Sequence, residues 1–230
     1  MGKLIEDKIK QISEGEAAYA LREGWNKLYG SYPSVDSLAL LWSQWALETG
    51  RGKAIHCYNF GNIKRSGDED YCMYRCNEIL NGKVEWFDPP HKQTWFRAYP
   101  SVVDGALDYI KFLSQKQRYQ KAWAAIQKGD PALFGHELKV AGYYTANEAQ
   151  YTKNVVSLTN EFKRKSEEIL SWAPSQDDIP TTPPPRPSQT LIIPEIPAPA
   201  PLPQIEEEEA PPVKENFVQG WLKKLNLKLG

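Results

Sequence analysis

One carboxylate, Glu48, lies in the last turn of a segment whose other residues are almost all apolar. The segment, LALLWSQWALETG, runs from Leu38 to Gly50 and predicts a helix that is buried around most of its circumference. The C-terminal end of a helix does not favour negative charge, and burial disfavours an ionised carboxyl group. A carboxyl group kept neutral in this way can act as a general acid near neutral pH. The alternative is an ordinary glutamate that is solvated or paired with Arg51 or Lys53.

The cysteines and histidines form a second set of residues with chemical potential. Cys57, Cys72 and Cys76 are odd in number, which excludes a complete disulfide framework, although one disulfide plus one thiol remains open. Together with His56 and His91 they could supply zinc ligands. Adjacent His-Cys and Cys-x3-Cys, however, match no common zinc-finger spacing. We therefore expect no metal ion and no other cofactor.

Composition and charge indicate which classes of partner the chain could bind. The net charge of -1 at pH 7 gives no electrostatic reason to expect a nucleic-acid partner. Aromatic residues make up 12% of the chain, which suits a cleft that stacks on sugar rings, although most aromatic side chains serve cores. The N-terminal sequence MGKLIEDKIKQISEGEAAY contains no apolar run that could form a signal peptide or a membrane span. Any export would need a nonstandard route, and the localisation stays open.

The chain divides into three regions by composition. Residues 1–172 carry the patterns of one folded domain. Residues 173–213 are rich in proline and include an acidic run, which predicts a disordered linker. Residues 214–230 predict an amphipathic helix that could bind a membrane surface or a partner groove. Docking of that helix back onto the domain is equally open.

The elements that must position Glu48 are mostly helical. Residues 3–30 are predicted as helix in two pieces broken near Gly15, and the Glu48 helix is predicted to begin near Ser34. Asn81-Gly82 predicts a small β-hairpin over residues 74–88. Further helices are predicted after Ser101, over about 117–127, from Pro131 to about Val140, and after a capping pattern at Thr145 and Glu148. The predicted fold class is mainly α, a helical bundle around a core helix with an inserted β-hairpin lobe.

Several ordered motifs resemble a known family. ALLWSQWALETGRGK followed by YNFGNIK is similar to the peptidoglycan-cleaving glucosaminidases of glycoside hydrolase family 73, whose pattern is approximately A-x-x-Q-x-A-L-E-T-G-x-G-K followed by N-L-F-G-I-K. The second motif departs slightly, because the family order Asn-Leu-Phe-Gly-Ile-Lys becomes Tyr58-Asn59-Phe60-Gly61-Asn62-Ile63-Lys64, which implies a small local shift. Tyr99-Pro100-Ser101 resembles the segment that follows the family's β lobe, and AGYYT at 141–145 resembles its A-G-Y-A-T motif. Together the motifs cover roughly residues 35–162.

The resemblance implies a lysozyme-like α+β fold in which Glu48 protonates the glycosidic oxygen. A second carboxylate is expected on the β lobe, and Glu78, which precedes Asn81-Gly82, matches its position best. It would activate water or stabilise positive charge at the anomeric carbon, unless the N-acetyl group of the substrate does so. The alternative is that Glu78 is a solvated hairpin residue. Four other carboxylates compete for the role: Glu69, Asp70, Glu85 and Asp88.

The resemblance also implies substrate-binding residues. Tyr143 matches the tyrosine of the A-G-Y motif and is expected to line the cleft and hold the N-acetyl group or the catalytic water. Asn59 and Phe60 are expected to shape the sugar subsite, Asn59 by hydrogen bonding and Phe60 by packing. As alternatives, Asn59 only caps a turn and Phe60 is a core residue.

The function implied is hydrolysis of the β-1,4 glycan strand of bacterial peptidoglycan by an endo-β-N-acetylglucosaminidase. Lytic transglycosylation or muramidase activity on the same fold is an alternative, and so is a non-catalytic wall-binding or virion structural module. The missing signal peptide, the proline-rich linker and the cationic tail would suit a phage lysin or a virion-associated wall-degrading protein. The preference between the two amino sugars, the cysteine pairing and the oligomeric state stay open.

Overall fold

The computed structural model describes residues 2–80, 83–144 and 146–175, with the backbone alone at Ile79 and Leu80. The predicted helix 214–230 and nearly all of the predicted linker 173–213 lie outside the described residues. Helices dominate the described part, which confirms the predicted mainly α class. They are α1 (Glu14–Tyr29), α2 (Val35–Thr49), α3 (Val102–Gln115), α4 (Gln120–Lys128), α5 (Pro131–Val140), α6 (Glu148–Arg164) and α7 (Ser166–Leu170). The strands are β1 (Ile9–Lys10), β2 (Ile55–His56), β3 (Tyr71–Met73), β4 (Cys76–Leu80), β5 (Lys83–Phe87) and β6 (Trp95–Arg97).

Helix α2 is the buried core helix, as predicted. Its N-cap residue Ser34 accepts a hydrogen bond from the Ser37 backbone N–H at 3.1 Å, and Gly50 ends it with a left-handed φ of 58°. Every residue from Ser37 to Thr49 is buried. Burial on all sides follows from the packing, because α2 contacts α1, α4 and α6.

The other helices also pack against one another. Helix α1 packs along α3, while α5 packs against both α4 and α6. At Gly24 of α1 a Cβ atom would lie 2.9 Å from the backbone nitrogen of Leu107 in α3, so the two helices approach more closely than a side chain would allow. Phe60 and Tyr109 join the α2 tryptophans in a single large apolar core.

A β lobe interrupts the helices between α2 and α3. Strands β3 and β6 pair antiparallel, and β4 pairs antiparallel with β5 in a register that places Glu78 opposite Glu85. These two strands confirm the predicted hairpin, and its turn at 81–82 lies outside the described residues. The lobe has a small buried cluster of its own, formed by Cys57, Cys72, Tyr74, Cys76, Phe96 and Ala98.

The prediction of helix over residues 3–12 is wrong. This segment is extended: β1 pairs with β2, and the backbones of Lys3 and Ile5 pair with Tyr71. Ile5, Ile9 and Ile12 have helical spacing, but the structure does not bury them as one stripe, because Ile5 is 37% and Ile9 61% exposed; pairing with strand edges prevails instead. The helix begins after Ser13, whose hydroxyl caps it, and Gly15 lies inside α1 rather than at a break.

The other predicted boundaries agree with the structure except at α6. Asn147, not Thr145, is the N-cap, because its side chain accepts a hydrogen bond from the Gln150 N–H at 3.0 Å; Thr145 itself lies outside the described residues. The predicted starts after Ser101 and at Pro131 are confirmed; the side chain of Asp130 caps the latter helix. Among the described helices, none combines the length and apolar character that a membrane crossing requires.

Candidate active site

Glu48 lies inside the helical core, in the last turn of α2. It is only 8% exposed, so it is not the solvated residue of the alternative interpretation. Arg51 does not pair with it either, because its guanidinium binds Glu14 at 2.6 Å and Glu161 at 2.5 Å. Glu48 is therefore a buried carboxyl group without a cationic partner among the described contacts.

Tyrosine side chains from three parts of the chain surround this carboxyl group. The Tyr151 hydroxyl, from α6, donates a hydrogen bond to Oε1 of Glu48 at 3.5 Å. Burial, and then the charge of Glu48, raise the pKa values of Tyr109, Tyr143 and Tyr151 well above the ordinary value. The Tyr109 hydroxyl also donates to Oε1 of Gln44, one helical turn before Glu48. The phenols therefore stay protonated at neutral pH and can act as hydrogen-bond donors.

The surroundings of Glu48 determine its protonation. Burial raises the pKa of Glu48 to about 8, and the hydrogen bond from Tyr151 offsets part of that rise because it favours the charged form. At neutral pH Glu48 is consequently a neutral acid that can donate a proton.

Glu78, on β4 of the lobe, has a contrasting environment. Its side chain is 5% exposed, and Oε1 lies 2.9 Å from Nζ of Lys64. The same ammonium group donates to the Gln93 carbonyl and lies 3.9 Å from the centre of the Phe96 ring. Lys64 thus stabilises negative charge on Glu78, whereas within the described part of the chain the hydrogen bond to Glu48 comes from the neutral Tyr151 hydroxyl. The alternative of a solvated hairpin residue does not describe Glu78.

The core helix carries the buried Glu48, and the β lobe that follows carries a second buried carboxylate, Glu78. A family match covers the same part of the chain. Residues 27–164 match the sequence model of the Glucosaminidase family, described as mannosyl-glycoprotein endo-β-N-acetylglucosaminidase. The chain belongs to the glucosaminidase family. The resemblance inferred from the motifs is thereby confirmed.

Two curated relatives of this glucosaminidase domain are named peptidoglycan hydrolases. The chain is 31% identical to the peptidoglycan hydrolase FlgJ of Pseudomonas aeruginosa over 136 residues, which are 56% of this chain and 32% of the relative. It is 32% identical to FlgJ of Vibrio parahaemolyticus over 115 residues, or 46% and 35% of the two chains. The glucosaminidase domain thus spans about a third of the length of these relatives.

A solved structure is also similar. A peptidoglycan hydrolase mutant from Sphingomonas sp. A1 is 24% identical and superposes with a TM-score of 0.48. The superposition covers 67% of this chain and 92% of that one.

The four carboxylates that compete with Glu78 have other positions in the glucosaminidase domain. Glu69 pairs with Arg97 at 2.7 Å, and Asp70 accepts a hydrogen bond from the Lys3 backbone N–H. Asp88 forms an exposed ion pair with Arg75, and Glu85 is exposed on β5, opposite Glu78. Of the five, Glu78 is the one that is buried.

Asn59 is fully buried and uses its side chain to close the loop after β2. Its amide nitrogen donates to the carbonyls of Ile63 and Arg97, each at 3.0 Å, and its oxygen accepts from the Ile63 N–H at 2.8 Å. These bonds correspond to the alternative in which Asn59 caps a turn. Through them Asn59 holds the loop that carries Phe60 and Gly61.

Phe60 and Tyr143 have different surroundings. Phe60 is fully buried, with its ring centre 6.0 Å from that of Trp45 and 6.4 Å from that of Tyr109, which makes it a core residue. The Tyr143 hydroxyl lies 3.5 Å from the Gly61 carbonyl, and the Glu48 charge acts on it. The structure therefore brings Tyr143 near Glu48, whereas Phe60 packs in the core with Trp45 and Tyr109.

Four residues of the site were not predicted from the sequence. Tyr109 lies in the predicted helix after Ser101 without a local sign of a role in the site, and Tyr151 carries no local signal at all. Gln44 could have been found, because it precedes Glu48 by one turn within the first motif. Lys64 ends the second motif, but nothing in its neighbours points to a contact with Glu78.

Proposed function

We propose that this glucosaminidase domain hydrolyses the β-1,4 glycan strand of bacterial peptidoglycan after N-acetylglucosamine, with Glu48 as general acid. The observation that carries the proposal is the burial of Glu48, which raises its pKa to about 8 in a chain of the glucosaminidase family. Both curated relatives are named peptidoglycan hydrolases, which supports the substrate class.

In the proposed reaction Glu48 gives its proton to the glycosidic oxygen as the bond to the anomeric carbon breaks. Glu48 then carries negative charge in a buried site. The Tyr151 hydroxyl already donates to Oε1 and would stabilise that charge. Proton transfer by a positioned acid contributes typically about 10²- to 10⁴-fold in rate.

Glu78 is proposed as the second carboxylate. With the Lys64 ammonium group 2.9 Å from Oε1, it could accept a proton from the attacking water or stabilise positive charge at the anomeric carbon. The N-acetyl group of the substrate remains the competing candidate for this step. Tyr143 is proposed to hold that N-acetyl group or the water, while Asn59 and Phe60 support the subsite from the loop beneath.

Product analysis tests the reaction. Purified peptidoglycan is digested, reduced with borohydride and examined by mass spectrometry. Reduced N-acetylglucosamine ends support the proposal, reduced N-acetylmuramic ends would indicate a muramidase, and 1,6-anhydro products would indicate a lytic transglycosylase.

Variants test the residues. Glu48→Gln should lower the rate by about 10²-fold or more, whereas Glu167→Gln, at an exposed position of α7, should not. Equal rates for these two would favour the non-catalytic wall-binding module.

A second pair of variants tests Glu78. Glu78→Gln is compared with Glu85→Gln, the residue directly opposite, and only the former should impair cleavage. Equal effects would remove Glu78 from the mechanism.

For the C-terminal part we propose that residues 173–213 act as a linker and that residues 214–230 bind an anionic membrane surface. The proposal rests on the sequence alone, in which apolar residues alternate with lysines at helical spacing. Flotation of the full chain with anionic vesicles, compared with a chain ending at residue 213, tests it. Equal flotation would contradict the membrane role and leave a protein partner.

A further inference from the structure

Three side chains that are distant in sequence meet beneath the β lobe. Asp7, Cys57 and Cys72 each offer one potential ligand atom, and these atoms all lie within 4.8 Å of one another. The Cys57 sulfur is 3.9 Å from Oδ1 of Asp7 and 3.5 Å from the Glu6 carbonyl oxygen. Both cysteines are buried, and the carboxyl group of Asp7 is 24% exposed. The cluster is therefore enclosed on the thiol side and accessible on the carboxylate side.

Backbone pairing brings the three residues together. The extended N-terminal segment pairs with β2 through β1, and the Cys57 N–H donates to the Lys8 carbonyl at 3.0 Å. The same segment pairs with β3, where the Ile5 N–H donates to the Tyr71 carbonyl at 2.7 Å. Since Cys57 follows β2 and Cys72 lies in β3, the segment that carries Asp7 crosses both.

The local geometry orients the ligand atoms. Cys57 has a left-handed φ of 48°, which turns the chain sharply after β2. Nδ1 of His56 lies 2.9 Å from both carboxylate oxygens of Asp7. A carboxylate only accepts hydrogen bonds, so the imidazole donates and holds the carboxylate, whose oxygens have further lone pairs.

We propose that Asp7, Cys57 and Cys72 bind a divalent zinc ion that fastens the N-terminal segment to the β lobe. Zinc favours thiolate, imidazole and carboxylate ligands in tetrahedral sites, with Zn–S near 2.3 Å and Zn–O near 2.0–2.2 Å. Sulfur and oxygen ligands of one such ion lie roughly 3.5 Å apart, so the observed 3.9 Å needs only a small contraction. A water molecule would complete the four ligands.

The charge balance favours a cation. With both thiols ionised, the three ligands carry negative charge in a partly buried place, and a divalent ion compensates most of it. Zinc binds thiolates, so binding of the ion would release the protons of both thiols to solvent.

The proposed zinc site has a structural role and is separate from the catalytic centre. Asp7 lies outside residues 27–164, which match the family. The ion would join residues 3–10 to β2 and to β3, and β3 leads into the strand that carries Glu78. Its expected effect is stabilisation of the lobe, and no step of the reaction requires it.

The experiment uses the full chain, reduced and freed of metal, and titrates it with Co²⁺ as a spectroscopic substitute for zinc and then with Zn²⁺. Wild type should bind one equivalent of Co²⁺, with a thiolate-to-cobalt charge-transfer band that Zn²⁺ abolishes by displacement. Zinc should also raise the melting temperature. The matched control is Cys76→Ser, since Cys76 is equally buried but contacts Lys64 and the Gln93 carbonyl instead; it should behave as wild type.

Cys57→Ser and Cys72→Ser should lose the charge-transfer band and the thermal shift. Asp7→Asn preserves the size of the side chain, so it keeps the proposal testable even if a cysteine variant does not fold. It should weaken Zn²⁺ binding at least tenfold. Absence of equimolar binding in wild type, equal binding by Asp7→Asn, or a Cys57–Cys72 disulfide that persists under reducing conditions would each overturn the proposal.

Discussion

The Tyr151 hydroxyl donates a hydrogen bond to Oε1 of Glu48 across 3.5 Å, from a residue in α6 to a residue in α2. The bond opposes the effect of burial, because burial favours the neutral carboxyl group whereas the phenol stabilises the charged one. Glu48 is thereby protonated at neutral pH, and a donor is already in place for the charge that it would acquire in the proposed proton transfer.

Removal of that donor should change the pH profile. In Tyr151→Phe the pKa of Glu48 rises further, so the alkaline loss of activity moves to higher pH, by roughly half a pH unit for one long hydrogen bond. The profile of kcat/KM on soluble glycan fragments measures this. Tyr144→Phe is the matched control, since its hydroxyl bonds to the Gly135 carbonyl and not to Glu48. An alkaline limb that moves equally in both variants would contradict the assigned contact.

Glu48 should also make the protein less stable at alkaline pH. Its folded pKa of about 8 lies above the ordinary value of 4.5, so the unfolded chain releases the proton first as pH rises. Stability is therefore lost between pH 4.5 and about 8, by on the order of 4 kcal/mol for a fully buried group. Glu48→Gln has no such loss and should exceed wild type in urea unfolding at pH 9, but not at pH 4. A pH-independent difference would contradict the buried, neutral state.

The pair formed by Lys64 and Glu78 should be strongly coupled. Breaking a buried ion pair by removing one partner costs about 3–5 kcal/mol, because the other charge is left without compensation. We expect Lys64→Met to approach the lower end of that range, since Lys64 is 26% exposed at its side chain. In the double variant Lys64→Met/Glu78→Gln much of that loss should be recovered. Urea unfolding of the four proteins in the cycle measures the coupling, and additive effects would show that the pair contributes nothing.

The ion pair between Arg51 and Glu161 should stabilise the domain at neutral pH but not at low pH. Hydrogen bonding to Arg51 lowers the pKa of Glu161 to about 2. The stabilisation is complete above pH 4.5 and is lost as pH falls through about 2. Because both side chains are partly exposed, Glu161→Gln should cost only about 1–2 kcal/mol at pH 7 and much less at pH 2. Unfolding at both pH values, with the exposed Glu167→Gln as reference, measures this; an equal cost at both would contradict the ion pair.

Elements with local signals were predictable from the sequence. Ser34 and Gly50 mark the ends of α2, because a hydroxyl that caps the first turn and a glycine that adopts positive φ act within a few residues. The same holds for Ser101 at α3 and Asp130 at α5. Glu48 stood out for the same reason, since its apolar neighbours lie in one continuous segment.

The tertiary structure alone decided what surrounds these elements. Residues 3–12 are extended because strand edges more than forty positions away accept them, and Tyr151 reaches Glu48 because α6 packs on α2. Lys64 meets Glu78, and Asp7 meets Cys57 and Cys72, through loops and strand pairing. Caps and turns depend on neighbours in the chain, whereas the pKa of a buried acid and the composition of a cluster depend on neighbours in space. The sequence therefore singled out Glu48 as the proposed acid, and the packing of distant segments determined its protonation and its partners.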